Sequence, residues 1–160
     1  MPPPTRGLMP SLLDRLTDPE SAGSSSIIGY TVEAMYHSVL SDLEDLLNSV
    51  QTLQTIPAEF PMLRDSILGY GLPDLASTPA VSPVQRATVG KTIQRAVERF
   101  EPRLKNIKVT LLDPEANLVN ASLRFRIDAR LRVDPAPDVA FDTVLELGSG
   151  KYIISPTTAA

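Results

Sequence analysis

Leu123-Arg124-Phe125-Arg126-Ile127-Asp128-Ala129-Arg130-Leu131-Arg132-Val133 alternates apolar and polar side chains without a break. In an extended chain successive side chains point to opposite faces, so this run has one apolar face and one charged face. A period of two held this long predicts a strand of an antiparallel sheet that is covered on one side only. The polar face carries Arg124, Arg126, Asp128, Arg130 and Arg132.

Outward from this strand the same period recurs. Upstream, Ile107, Val109 and Leu111 alternate with Lys108 and Thr110, and Asp113-Pro114-Glu115-Ala116-Asn117 supplies turn chemistry. Downstream, Asp134-Pro135-Ala136-Pro137-Asp138 breaks the pattern and Val139, Phe141, Thr143, Leu145 and Leu147 resume it. Gly148-Ser149-Gly150 reads as a turn before a short fourth strand, Tyr152-Ile153-Ile154. That last strand is the candidate C-terminal edge of the sheet, and neither proline nor charge lies within Tyr152-Ile153-Ile154 to blunt the addition of a further strand.

Further upstream the period changes to 3.6. From Thr31 to Val50, Val32, Met35, Tyr36, Val39, Leu40, Leu43, Leu46, Leu47 and Val50 share a helical stripe, with Glu33, Asp42, Glu44 and Asp45 on the polar side. A second helix is signalled by Ser82 as cap, Pro83 in the first turn and Gln85 completing a capping box. Its stripe is Val89, Ile93, Ala96, Val97 and Phe100, and Pro102 stops it. Between the helices, Pro57, Pro61, Gly69, Gly71 and Pro73 mark a linker in which Met62, Leu63, Ile67 and Leu68 are expected to pack on the core. The expected fold is α+β, with two amphipathic helices on one face of a three- to four-stranded antiparallel sheet. Residues 1–26, rich in proline and serine, read as a disordered N-terminal tail, and residues 27–160 as a single α+β domain.

Composition limits the chemistry. With 160 residues, 42% hydrophobic and 21% charged, the chain suits one globular core. A formal net charge of -4 does not advertise nucleic-acid binding. Single-strand readers also need aromatic platforms, and the arginine face has none, so a solvated face is the leading reading and an acidic protein partner the second. There is no cysteine and His37 is the single histidine, which leaves little for a metal site or a triad. No apolar run approaches the roughly 18 residues of a membrane span, and no signal peptide is visible, so a cytoplasmic location is expected. Glycoside hydrolysis would need two facing carboxylates. Glu101, Asp113, Glu115 and Asp128 are candidates, and none stands in a recognisably apolar setting.

Two short segments remain. Arg99-Phe100-Glu101-Pro102-Arg103-Leu104 ends the second helix with a glutamate, which opposes the helix dipole and calls for an explanation such as an ion pair with an arginine. Pro102 stiffens this corner, and Glu101 and Arg103 lie outside the apolar stripe, so substituting them is expected to spare the core. The cation is either in the chain itself or in a partner. In the tail, Ser11 caps a helical turn whose Leu12, Leu13 and Leu16 share a face. That patch either docks on a partner or folds back on its own domain.

The Glu101-Pro102-Arg103 corner between an amphipathic helix and a β meander resembles the signature of the baseplate wedge family of contractile phage tails and type VI secretion systems. Ser11-Leu12-Leu13-Asp14-Arg15-Leu16, and the run Ser66-Ile67-Leu68-Gly69-Tyr70-Gly71-Leu72-Pro73-Asp74, look like motifs of the secretion-system branch, the TssE subunits. The family is often labelled lysozyme-like, yet the resemblance implies a structural, non-enzymatic wedge part with no cofactor or metal. A small peptidoglycan-degrading muramidase is the alternative. The resemblance implies that Glu101 and Arg103 meet a core bundle of TssF- and TssG-like wedge subunits, that Pro102 is the spacer, and that Leu12, Leu13 and Leu16 anchor the tail. It also implies sheath proteins as partners, no nucleic acid, no membrane insertion, and a baseplate docked at the inner membrane.

Overall fold

The β meander orders the molecule. In the computed structural model, which describes residues 8, 10–17, 30–52, 57, 59–74, 83–112, 122–147 and 149–157, four strands run in the spatial order β1-β2-β3-β4. They are β1 Leu104–Leu111, β2 Ser122–Leu131, β3 Asp138–Glu146 and β4 Tyr152–Pro156, and every pairing is antiparallel. The alternation in β2 is kept in three dimensions: Leu123, Phe125, Ile127, Ala129 and Leu131 are all buried. Ser82, the 113–117 turn, Gly148 and most of the tail lie outside the described residues.

One strand departs from simple alternation. Leu104 is buried, and so are, in part, Ile107, Val109 and Leu111, although 104 and 107 differ in parity. The register against β2 shifts between Lys105 and Lys108, and Asn106 there has a φ of 56°. An extra residue in one strand restores the inward face, and asparagine tolerates the left-handed conformation better than most residues.

Among the described residues three α-helices accompany the sheet: α1 Leu12–Thr17, α2 Val32–Asn48 and α3 Pro83–Phe100. Thr31 caps α2 by accepting from the Ala34 N–H at 3.1 Å. The apolar stripe of α2 buries Met35, Val39, Leu43, Leu46 and Leu47; that of α3 buries Val89, Ile93, Ala96 and Val97. Both join Phe125, Ile127, Leu131 and Phe141 in one core. Tyr36 stacks on Phe141, ring centroids 5.1 Å apart, and donates to the Ala140 carbonyl at 3.2 Å. At its other end, α2 reaches the sheet edge: the Asn48 amide donates to the Tyr152 carbonyl and accepts from the Tyr152 N–H, both at 2.9 Å.

The linker corrects an expectation. Residues 61–69 form two 3-10 turns, Pro61–Asp65 and Ile67–Gly69, whose large apolar side chains do not enter the core. Met62 is 81% exposed and Ile67 85%. The small, closely spaced turns pin the backbone instead: a Cβ on Gly69 would stand 2.3 Å from the Arg64 carbonyl oxygen. Gly71, at φ +100°, lies against the Ser49 carbonyl, where the chain makes a parallel bridge between Val50 and Leu72.

Candidate functional site: the corner at residues 101–103

The helix-to-strand corner is built around one guanidinium. Glu101 closes the last turn of α3, its N–H bonded to the Val97 carbonyl at 2.9 Å. Pro102 then turns the chain, and the Leu104 N–H returns to the Glu101 carbonyl at 3.2 Å as β1 begins. This tight turn brings the Arg103 side chain back onto Glu101. Arg103 Nε donates to Glu101 Oε1 at 2.7 Å and Nη2 to Oε2 at 2.5 Å, a two-pronged pair, while the Arg103 backbone N–H adds a 3.1 Å bond to Oε1. Such bidentate, charge-assisted bonds are among the strongest a protein makes. The cation that the helix dipole demanded is therefore within the chain.

Helix α2 supplies the rest. Ser38 and Asp42 are one turn apart and face the corner together. Arg103 Nη2 also bonds Asp42 Oδ2, and Nη1 donates to the Ser38 hydroxyl at 2.9 Å. The Ser38 hydroxyl in turn donates to Asp14 Oδ2 at 2.7 Å, which ties α1 to the corner. Asp14 and Ser11 close a reciprocal capping box at 3.0 Å in each direction. The relay thus runs Arg103, Ser38, Asp14, and it joins three segments far apart in sequence.

Electrostatics follow from this geometry. Burial works to lower the Arg103 pKa, but the hydrogen bonds and charges of Glu101 and Asp42 outweigh it and raise it further above its ordinary range. Burial pushes the Asp42 carboxyl up; the hydrogen bond and charge of Arg103 oppose this, while the negative charges of Glu101 and Asp14 add to the rise. Burial pushes the Asp14 carboxyl up as well, yet the bonds from Ser38 and Ser11 prevail and hold it below the ordinary value.

The expected site residues separate into two groups. Glu101 is 4% exposed and the Arg103 side chain 16%, so the two are structural partners inside the fold, and the expectation that the core would not notice them is corrected. Pro102 is exposed between them. Leu12, Leu13 and Leu16 are 71%, 60% and 74% exposed. The α1 segment therefore folds back on the domain through Asp14 while its leucines face outward. Asp42, Ser38 and Asp14 were not singled out from sequence, although the Ser11-x-x-Asp14 spacing and the Ser38/Asp42 turn are visible there.

The competing chemistries find little support in the geometry. Glu101 is the single buried carboxylate among the described residues, and both of its oxygens are engaged by Arg103. Asp113 and Glu115 lie outside the described residues; Asp128 is half-buried on the open face of the sheet. His37 is exposed beside Tyr36. No group of side chains among the described residues could hold a metal ion. On the arginine face two cations are paired across the β2–β3 register, Arg126 with Asp142 at 3.1 Å and Arg130 with Asp138 at 2.7 Å, while Arg132 donates to the Leu104 carbonyl. No described helix is long and apolar enough to cross a membrane.

Two helices over a four-stranded meander, with a salt-bridged corner between α3 and β1 that exposes a proline, make a small α+β domain. Residues 33–136, more than half of the chain, match the family described as baseplate wedge protein gp25, and the chain belongs to that family. The match takes in α2 from Glu33 onward, α3, the corner, β1 and β2. No curated protein and no solved structure matched the chain.

Proposed function

We propose that this wedge-family chain is the TssE-like subunit of a type VI secretion baseplate, non-enzymatic and cytoplasmic, and that it grips the other wedge subunits through the 101–103 corner. The observation that carries the reading is the corner itself. A family member that merely needed a helix end would not fix Arg103 with Glu101 at the corner and with both Ser38 and Asp42 on α2; a member that uses the corner as a rigid clasp would. In this reading Glu101 and Arg103 hold the shape, and Pro102, Leu12, Leu13 and Leu16 meet the TssF- and TssG-like core bundle. The exposed leucines and the Ser11–Leu16 motif favour the secretion-system branch. Sheath templating belongs to the same proposal and would use a sheet edge.

The test is co-purification with the remaining wedge subunits. The wild type is expected to join the complex, and Pro102→Gly or Leu12→Asp with Leu13→Asp to be lost from it while folding normally. Retention of both variants at wild-type level would show that the corner and tail are not the contact. Turnover of purified peptidoglycan by the isolated protein would restore the muramidase alternative.

A further inference from the structure

Two clefts meet at Phe100, and they carry opposite charge. The corner cleft, about 580 Å³, places Asp42, Asp45 and Glu101 against the single cation Arg103, with Leu13 and Tyr70 as apolar walls. The second cleft, about 720 Å³, is lined by Arg64, Arg95 and Arg99 against Asp65 and Glu98. Within it, Arg99 pairs with Asp65 at 3.2 Å and Glu98 accepts from the Gln94 amide at 2.8 Å. Arg64 and Arg95 are exposed and have no acidic partner among the described residues.

The divider between the clefts is closely packed. Tyr70 lines the first and its flanking glycines, Gly69 and Gly71, line the second. Tyr70 packs edge-on against Phe100, centroids 5.3 Å apart, and the glycine backbones are pressed on carbonyls that leave no room for a side chain. Beside this divider the chain holds Met62 and Ile67 in solvent.

We propose that the two clefts form one docking track for a single amphipathic segment of a neighbouring wedge subunit, basic where it meets Asp42 and Asp45 and acidic where it meets Arg64 and Arg95. The apolar side of that segment lies on Phe100, Tyr70 and Leu13, and the charges fix the direction in which it lies. Reversed docking would set like charges together, a penalty that selects orientation more than it raises affinity. This deepens the wedge-contact reading and rests on it.

The experiment uses the full-length chain and, as probe, the remaining wedge subunits of the same machine, purified together and immobilised. Asp45→Lys and the pair Arg64→Glu with Arg95→Glu change exposed residues only, so melting temperatures should match the wild type. Each set is expected to weaken Kd about tenfold, and the weakening should shrink as salt is raised. If the wild type binds and neither set matters, the track is wrong while the wedge-contact reading stands. If only one set matters, a single cleft makes contact and the track is again wrong. If the wild type itself fails to bind, the wedge-contact reading falls and takes the track with it.

Discussion

Replacing Glu101 with alanine tests the central physical claim, that the corner is held by a buried ion pair. The carboxylate is 4% exposed and accepts three bonds from Arg103, at 2.5, 2.7 and 3.1 Å. Removing one partner of a buried pair typically costs about 3 to 5 kcal/mol, because the other charge is left unmatched. Here Arg103 keeps Asp42 and Ser38, so the lower end applies, about 3 kcal/mol. For a chain of this length that corresponds to a fall in Tm of about 6 to 12 °C. Circular dichroism melts give the number directly. A double-mutant cycle with Arg103→Met isolates the pair: the double variant should be more stable than the sum of the singles implies, by about 1 to 3 kcal/mol. A Glu101→Ala Tm within about 2 °C of wild type, or strict additivity in the cycle, would refute the reasoning.

Other outcomes follow from the same structure. Leu12→Asp with Leu13→Asp should leave Tm unchanged, since both side chains are exposed; a large drop would mean that α1 packs by its leucines and not by Asp14. Gly71→Ala should cost more than about 1 kcal/mol in urea denaturation, because it combines a positive φ with a Cβ 2.4 Å from the Ser49 oxygen. Asp14→Asn should flatten the acid side of the stability profile: the Asp14 pKa is lowered on folding, so its contribution is present above the unfolded value of about 3.9 and is lost as pH falls through the folded value. Asp42, raised on folding, has the opposite sign, with stability present below its unfolded pKa and lost as pH rises through the folded one; urea midpoints of Asp14→Asn and Asp42→Asn across that range separate the two. If β4 templates sheath strands, Asn48→Ala should raise sheath counts in cells, because Asn48 occupies the outward N–H and carbonyl of Tyr152; unchanged counts would move the role away from this edge.

The fold was legible where burial is set by local period. Leu123 to Val133 alternates because each strand residue has one face, and the stripes of α2 and α3 follow from helical spacing, so strand, helix and inward residues could be read directly. Strand order is not given by the sequence; the structure sets it as β1-β2-β3-β4, which leaves the candidate strand β4 at one edge of the sheet. Two things required the tertiary structure. The first is the burial of residues without periodicity: Met62 and Ile67 are apolar, yet two 3-10 turns face them outward, and at Asn106 a bulge moves Leu104 back to the core. The sheet edge shows the same limit. Hydrogen bonds alternate along a strand, and since Glu146 N–H bonds Lys151 and Tyr152 N–H turns to Asn48, Ile153 points its N–H inward and is not the free edge group. The second is the corner. Sequence shows that Glu101 at a helix end requires a cation, because the dipole argument is local. It does not show that Arg103, two residues on, turns back to supply it, or that Asp42 bonds the same guanidinium while Asp14 is tied to it through Ser38. Side chains 24 and 61 residues apart meet only after the helices have packed on the sheet, and nothing in local spacing encodes that approach.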